Sequence, residues 1–196
     1  MRWISSKKSF SLVELLITIG IIGTLTALGV IFLNPVEHLR EGRDAQRISD
    51  LQTLHSVIQK YKYSGKRIGS LGSVQTIYTS LVDTTSTCAN LGLGSLADGW
   101  AYHCATSSAS LQKVDGNGWL PINFGSNSDI AVLPIDPTNS TSSYYSYIVS
   151  SAGGYFLGAS LESVKYLSQY ATKDGGQSTV LYEKGEDLDL FSQSLY

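Results

Sequence analysis

The chain has 196 residues, enough for a membrane segment plus one domain of ordinary size. Its net charge is −2, from 14 basic and 16 acidic residues, so overall electrostatics give no attraction to nucleic acid. Only two cysteines are present, which excludes a disulfide-dense scaffold and a four-cysteine zinc site.

The amino terminus carries the strongest signal. Arg2, Lys7 and Lys8 precede an apolar run from Phe10 to Leu33 whose one charged residue is Glu14. A run of that length spans a bilayer, which takes roughly 20 residues. The basic leader keeps the amino terminus cytoplasmic and sends the rest of the chain across. A carboxylate inside such a segment costs about 2.5 kcal/mol or more to insert, so Glu14 calls for a partner. The bland role for it is a side chain that snorkels to the interface. An ordinary secretory signal would have a small-residue cleavage site after the apolar run, and Ala27-Leu28-Gly29 is a poor version of one.

The string Lys7-Lys8-Ser9-Phe10-Ser11-Leu12-Val13-Glu14-Leu15-Leu16-Ile17 resembles the amino-terminal signal of type IV pilins and type II secretion pseudopilins. The resemblance implies that a prepilin peptidase cuts between Ser9 and Phe10 and that Phe10 is then N-methylated. The family usually has Gly before the cut; Ser9 stands there in this chain. Glu14 falls at the fifth mature position, where the family pairs it with the ammonium of Phe10 on a neighbouring subunit. The implied partners are copies of the chain itself, the peptidase, and an assembly platform with its motor. The implied location is the inner or cytoplasmic membrane before assembly and a cell-surface fibre afterwards.

In chain order, Phe10–Leu33 is predicted to be helical, because only a helix satisfies its backbone in lipid. Gly20, Gly23 and Gly29 leave room for close helix contact. Asn34-Pro35 is a break signal that allows either a kink or a new helix start at Pro35. From Val36 to about Tyr63 the pattern is amphipathic, with Leu51, Leu54, Ile58 and Tyr61 on one face. Arg43, Asp44, Arg47, Asp50 and Lys60 are expected to face solvent or neighbouring subunits. A helix unbroken from Phe10 to Tyr63 would be roughly 80 Å long.

After Ser64-Gly65 the composition turns to Ser, Thr, Gly, Asn and Tyr, which suits short strands and turns. Ile77–Val82 is a short element, helix or strand. Trp100–Cys104 reads as a strand. Trp119–Phe124 contains Pro121 and fits an edge strand. Tyr144–Val149 and Tyr155–Ser160, around Ser151-Ala152-Gly153-Gly154, give the best hairpin signal. Ser178–Glu183 is a late strand. Cys88 and Cys104 are expected to form a disulfide in the exported part, worth about 3 kcal/mol for a loop of that size; two buried thiols are the alternative. The resulting organisation is a leader (1–9), a membrane helix (10–33), an amphipathic helix half (34–63) and an exported β-rich domain (64–196). The fold class is α+β. Asp44–Lys62 and Leu133-Pro134-Ile135-Asp136-Pro137 before the hairpin also resemble pseudopilins.

No enzymatic constellation stands out. His38, His55 and His103 occupy no two-histidine metalloprotease motif. Gly92-Leu93-Gly94-Ser95-Leu96-Ala97 mimics a dinucleotide fingerprint but follows no apolar strand, and reads as a loop. Asp115-Gly116-Asn117-Gly118 starts like a calcium loop, yet Trp119 stands where an oxygen ligand belongs. Asp129, Asp136 and Asp174 read as solvated turn aspartates, and no metal or cofactor is expected. Asn139-Ser140-Thr141 fits the short glycosylation pattern. Lys60, Lys62, Lys66 and Arg67 read as a solvated helix end, so nucleic acid is unsupported as a partner. The leading expectation is a non-enzymatic fibre subunit. The alternative is a minor tip subunit or membrane-anchored module that captures DNA or carbohydrate.

Overall fold

The computed structural model describes residues 10–64, 71–125 and 129–194. The architecture is α+β, with two long amino-terminal helices and a five-stranded, mostly antiparallel sheet. The chain divides into two compact units, Met1–Leu39 and Arg40–Tyr196.

Helix α1 spans Leu12–Leu33. It begins two residues later than the sequence pattern predicts, because Ser11 is extended and serves as the cap residue. The single long helix is interrupted: Asn34 adopts a left-handed conformation with φ 40°, and α2 starts at Pro35 and runs to Tyr63. Proline suits the first helical position, where its missing N–H leaves no bond unmade. The Asn34 carbonyl accepts from the Glu37 amide at 3.0 Å.

In the second unit, Ile48, Leu51, Leu54, Val57, Ile58 and Tyr61 bury one face of α2 against the sheet. The strands are β1 (Thr76–Val82), β2 (Ala101–Ala105), β3 (Tyr145–Val149), β4 (Tyr155–Ser160) and β5 (Leu181–Gly185), in the spatial order β2-β1-β3-β4-β5. The β1–β2 pair is parallel and the other pairs are antiparallel. Period-2 alternation sends Tyr145, Tyr147, Val149, Tyr155, Leu157 and Ala159 to the α2 side. Ile77, Ile148 and Phe156 point to the other face, under Leu190 and Phe191 of the short helix Leu190–Ser194. The predicted hairpin is present: Val149 pairs with Tyr155, and Gly153 supplies the left-handed turn residue at φ 84°.

Three sequence expectations need correction. Trp119–Phe124 is no strand; its main chain makes one isolated bridge, Asp115 to Asn123, while Trp119, Leu120 and Ile122 are fully buried. Pro121 cannot donate to a ladder, and the segment is held by side-chain burial together with the Trp119 and Phe124 amides, which donate to the Leu111 and Val114 carbonyls. The late strand lies at Leu181–Gly185 rather than 178–183, because Ser178 caps the turn before it by accepting from the Val180 and Leu181 amides. Asp44 and Arg47 do not face solvent. Both are fully buried.

Candidate functional site

Phe10 and Glu14, singled out by the sequence, lie at the start of α1. Phe10 is exposed, and Glu14 occupies the first turn. The Leu12–Gly29 stretch is long and apolar enough to cross a membrane, and none of it is buried in the protein. A signal sequence meets the same test of length and composition. Among the described residues, nothing beyond the helix's own backbone and the flanking residues lies within 4 Å of where a Cβ would stand on Gly20, Gly23 or Gly29. Thr18, Thr24 and Thr26 turn their hydroxyls back onto helix carbonyls, so these polar groups are satisfied without water. Within Leu12–Gly29, Glu14 is the one ionisable side chain. Ser9 and the leader lie outside the described residues.

The second feature is an ionic cluster under α2. The guanidinium of Arg47 is fully buried and touches three carboxylates. Its Nη1 donates to Asp44 Oδ1 at 2.8 Å. Its Nε and Nη2 form a fork onto Asp136, at 2.6 and 3.0 Å. Nη2 also lies 2.7 Å from Glu162 Oε1. Arg43 clasps the same Glu162 from one turn earlier on α2. The planar fork matches carboxylate geometry, which explains arginine at this position.

The carboxylates organise main chain. Asp44 accepts from the amides of Glu162 and Ser163 and from the Ser163 hydroxyl. Ser163 in turn caps the short helix Val164–Tyr166. Asp136 accepts from the Thr138 and Asn139 amides, forming a turn after Pro134-Ile135. The hydrogen bond from Arg43, with Arg47 adding to it, holds the Glu162 carboxyl down to about 2. Nearby, Tyr145 Oη donates to Asp50 at 2.8 Å. Burial pushes the Tyr145 phenol up, and the Asp50 contact adds to this.

Asp136 is not the solvated turn aspartate expected from the sequence: it is 2% exposed and bound to Arg47. Asp129 does stand exposed, paired with Lys60. Asp174 accepts from the Gly176 and Glu183 amides. The signal for the cluster was present as Asp44 and Arg47, an i,i+3 pair of opposite charge on the face that also carries Leu51 and Leu54.

The third feature is the disulfide. Cys88 and Cys104 are bonded, with Cα atoms 5.4 Å apart. Both are buried, and the Thr79 hydroxyl packs against the sulfurs. Asp83 organises the loop around Cys88. Its carboxylate accepts from the Thr84 and Asn90 amides, the Thr85 hydroxyl and the Asn90 side-chain amide. These bonds, led by those from Asn90, hold its carboxyl well below the usual range.

Other sequence candidates are not brought together. His55 Nδ1 lies 2.8 Å from the Tyr155 hydroxyl under α2. His103 sits half-buried on β2, and burial pushes its imidazole down. Asp115 accepts from the Asn117 amide in a local turn. Among the described residues no group of three or more His, Cys, Asp or Glu side chains is placed to hold a metal. Asn139 Oδ1 accepts from the Ser80 hydroxyl, so the side chain of the glycosylation pattern is engaged internally. Lys62 is tied to Glu186 and to the Gly153 carbonyl, while Lys66 and Arg67 lie outside the described residues. No family model, curated protein or solved structure matches the chain.

Proposed function

We propose that the chain is a structural subunit of a type IV pilus-like or pseudopilus fibre, processed before Phe10 and polymerised through α1. The observation that carries this reading is the uncovered apolar helix with Glu14 at its start, followed by α2 packed on a small disulfide-bearing sheet domain. An apolar helix that finds no cover in its own fold must be buried in lipid or against other chains. Before assembly lipid fills that role. In the fibre, helices of neighbouring subunits do.

Glu14 sets the position. A carboxylate surrounded by apolar groups is costly unless paired. Once the leader is removed, the Phe10 ammonium of an adjacent subunit is the matching cation. The pair fixes axial register between helices whose apolar packing is poorly directional. The partners are copies of the chain, a prepilin peptidase and an assembly platform with its motor. The chain is not an enzyme in this reading; its activity is assembly. Mass spectrometry of protein sheared from cells tests it. The expected mature chain starts at N-methylated Phe10. An intact Met1, or a start after Gly29, in the mature protein overturns it.

A further inference from the structure

Glu183 stands on β5, an outer strand of the sheet, and is 2% exposed. Its neighbours Tyr182 and Lys184 alternate to the α2 side, where Tyr182 joins the core and Lys184 bears on His55. Glu183 therefore turns to the other face, opposite Gly158 of β4. The Phe156 ring fills the space that a side chain on Gly158 would take, so the wall there is apolar.

The cover over this carboxylate is main chain. The Ser178 amide donates to Glu183 Oε2 at 2.9 Å, and a Cβ on Gly176 would overlap the same carboxylate. Asp174 grips the covering segment from its start. Its Oδ1 accepts from the Gly176 amide at 2.9 Å, and its Oδ2 accepts from the outward Glu183 amide at 2.8 Å. Asp189 reaches the same segment by accepting from the Gln177 side-chain amide at 2.6 Å. Tyr170, Lys173, Tyr182 and Lys184 border the hollow beside Glu183 and Asp174. Among the described residues, however, no lysine, arginine or histidine forms an ion pair with either carboxylate. A buried carboxylate next to other carboxylates is costly in its ionised form. Burial pushes the Glu183 carboxyl up, and the charges of Asp174 and Asp189 add to this against the Ser178 and Gln177 amides.

We propose that the 174–178 segment is a pH-operated cover on the β5 edge, closed while Glu183 holds a proton and loosened when Glu183 ionises. The proton lets the carboxyl stay buried under Gly176 beside Asp174. Its loss places two like charges under one short loop, and the loop yields because main-chain hydrogen bonds are all that hold it there. Loosening hydrates the carboxylate and frees the outward amide of Glu183, a donor on an edge strand. Because the folded-state value lies above the ordinary 4.5, the closed form is fully stabilised below pH 4.5 and weakens as pH rises through the folded value. This cover is independent of helix-driven assembly, and neither reading fails with the other.

The test uses the full chain in detergent micelles, from pH 4.5 to about pH 8. Hydrogen exchange of the Gly176, Ser178 and Glu183 amides is read as protection relative to an unstructured chain, which removes the intrinsic pH dependence. In wild type this protection is expected to fall by about tenfold or more across the range, the factor that one unit of upward shift supplies. The Tyr147 and Leu157 amides should hold theirs. Glu183→Gln keeps an acceptor for Ser178 without the charge, and its protection is expected to stay high and flat. The Glu183 carboxyl of wild type, followed by carbon NMR, is expected to titrate above 4.5, a measurement that needs no variant to fold. A carboxyl that titrates at or below 4.5 overturns the proposal. So does protection that stays flat in wild type, that falls equally in Glu183→Gln, or that is lost together with Tyr147 and Leu157.

Discussion

Replacing Arg47 with alanine is expected to destabilise the second unit by about 3 kcal/mol, the lower end of the range for stranding buried carboxylates. The structure sets that figure. Asp44 would keep the Glu162 amide, the Ser163 amide and the Ser163 hydroxyl, losing only Nη1. Asp136 would keep the Thr138 and Asn139 amides but lose both prongs of the guanidinium fork. The carboxylates therefore stay partly solvated by main chain, which moderates the cost. A loss of that size lowers Tm by about 6–12 °C in a domain of this length. Urea unfolding of the full chain in micelles, followed by Trp119 fluorescence, is the assay. Trp119 is fully buried and its indole donates to the Pro134 carbonyl beside the Asp136 turn. Arg47→Met combined with Asp136→Asn is expected to recover more than half of the loss, because one stranded charge is gone. A loss below about 1 kcal/mol for Arg47→Ala, with unchanged m-value, would refute the view that the guanidinium offsets the buried carboxylates.

Two further outcomes are expected, one from the same cluster and one from Glu14. The Glu162 carboxyl is depressed from 4.5 to about 2, so its contribution is full above pH 4.5 and is lost as pH falls toward 2. Urea midpoints measured across that window should fall for wild type and fall less steeply for Glu162→Gln; equal slopes contradict the assignment. Glu14→Ala and Glu14→Gln are expected to cut sheared-fibre yield at least tenfold while the disulfide-bearing domain stays folded, as immunoblots of fibre and membrane fractions would show. Normal yield from both variants, with normal processing, removes Glu14 as the register device.

Much of the fold could be read from the chain because its signals are local. The apolar run, the Leu51/Leu54/Ile58/Tyr61 stripe and the Tyr-rich hairpin each fix an element within a window of a few residues. The Asn34-Pro35 break was also visible, but the choice between kink and new start depends on the Asn34 backbone adopting φ 40°. What escaped was long-range. The partners of Arg47 lie 89 residues away at Asp136 and, through Glu162, on another loop. Charge on a helix reads as solvent exposure unless the residues that neutralise it are known. The 119–124 segment misled for the opposite reason, since buried Trp119, Leu120 and Ile122 look like strand residues without forming a ladder.

The position of the cluster bears on why charge stands where apolar residues would serve. Leu51, Leu54 and Ile58 pack α2 on the sheet non-directionally, and a slide of one helical turn would exchange one apolar contact for another. Arg47 cannot slide without leaving Asp136 and Glu162 unpaired, and Asp44, carried on the same helix, would lose the Glu162 and Ser163 amides and the Ser163 hydroxyl. The cluster thus fixes α2 axially on the domain, a specificity role for a buried ion pair rather than a gain in stability. In the proposed fibre Glu14 acts in the same way one level up, between subunits. An isosteric apolar replacement at Arg47, Asp44 and Asp136 together should then leave the unit stable but lower the protection of α2 amides in hydrogen exchange. Unchanged protection would mean that the apolar stripe alone determines the register.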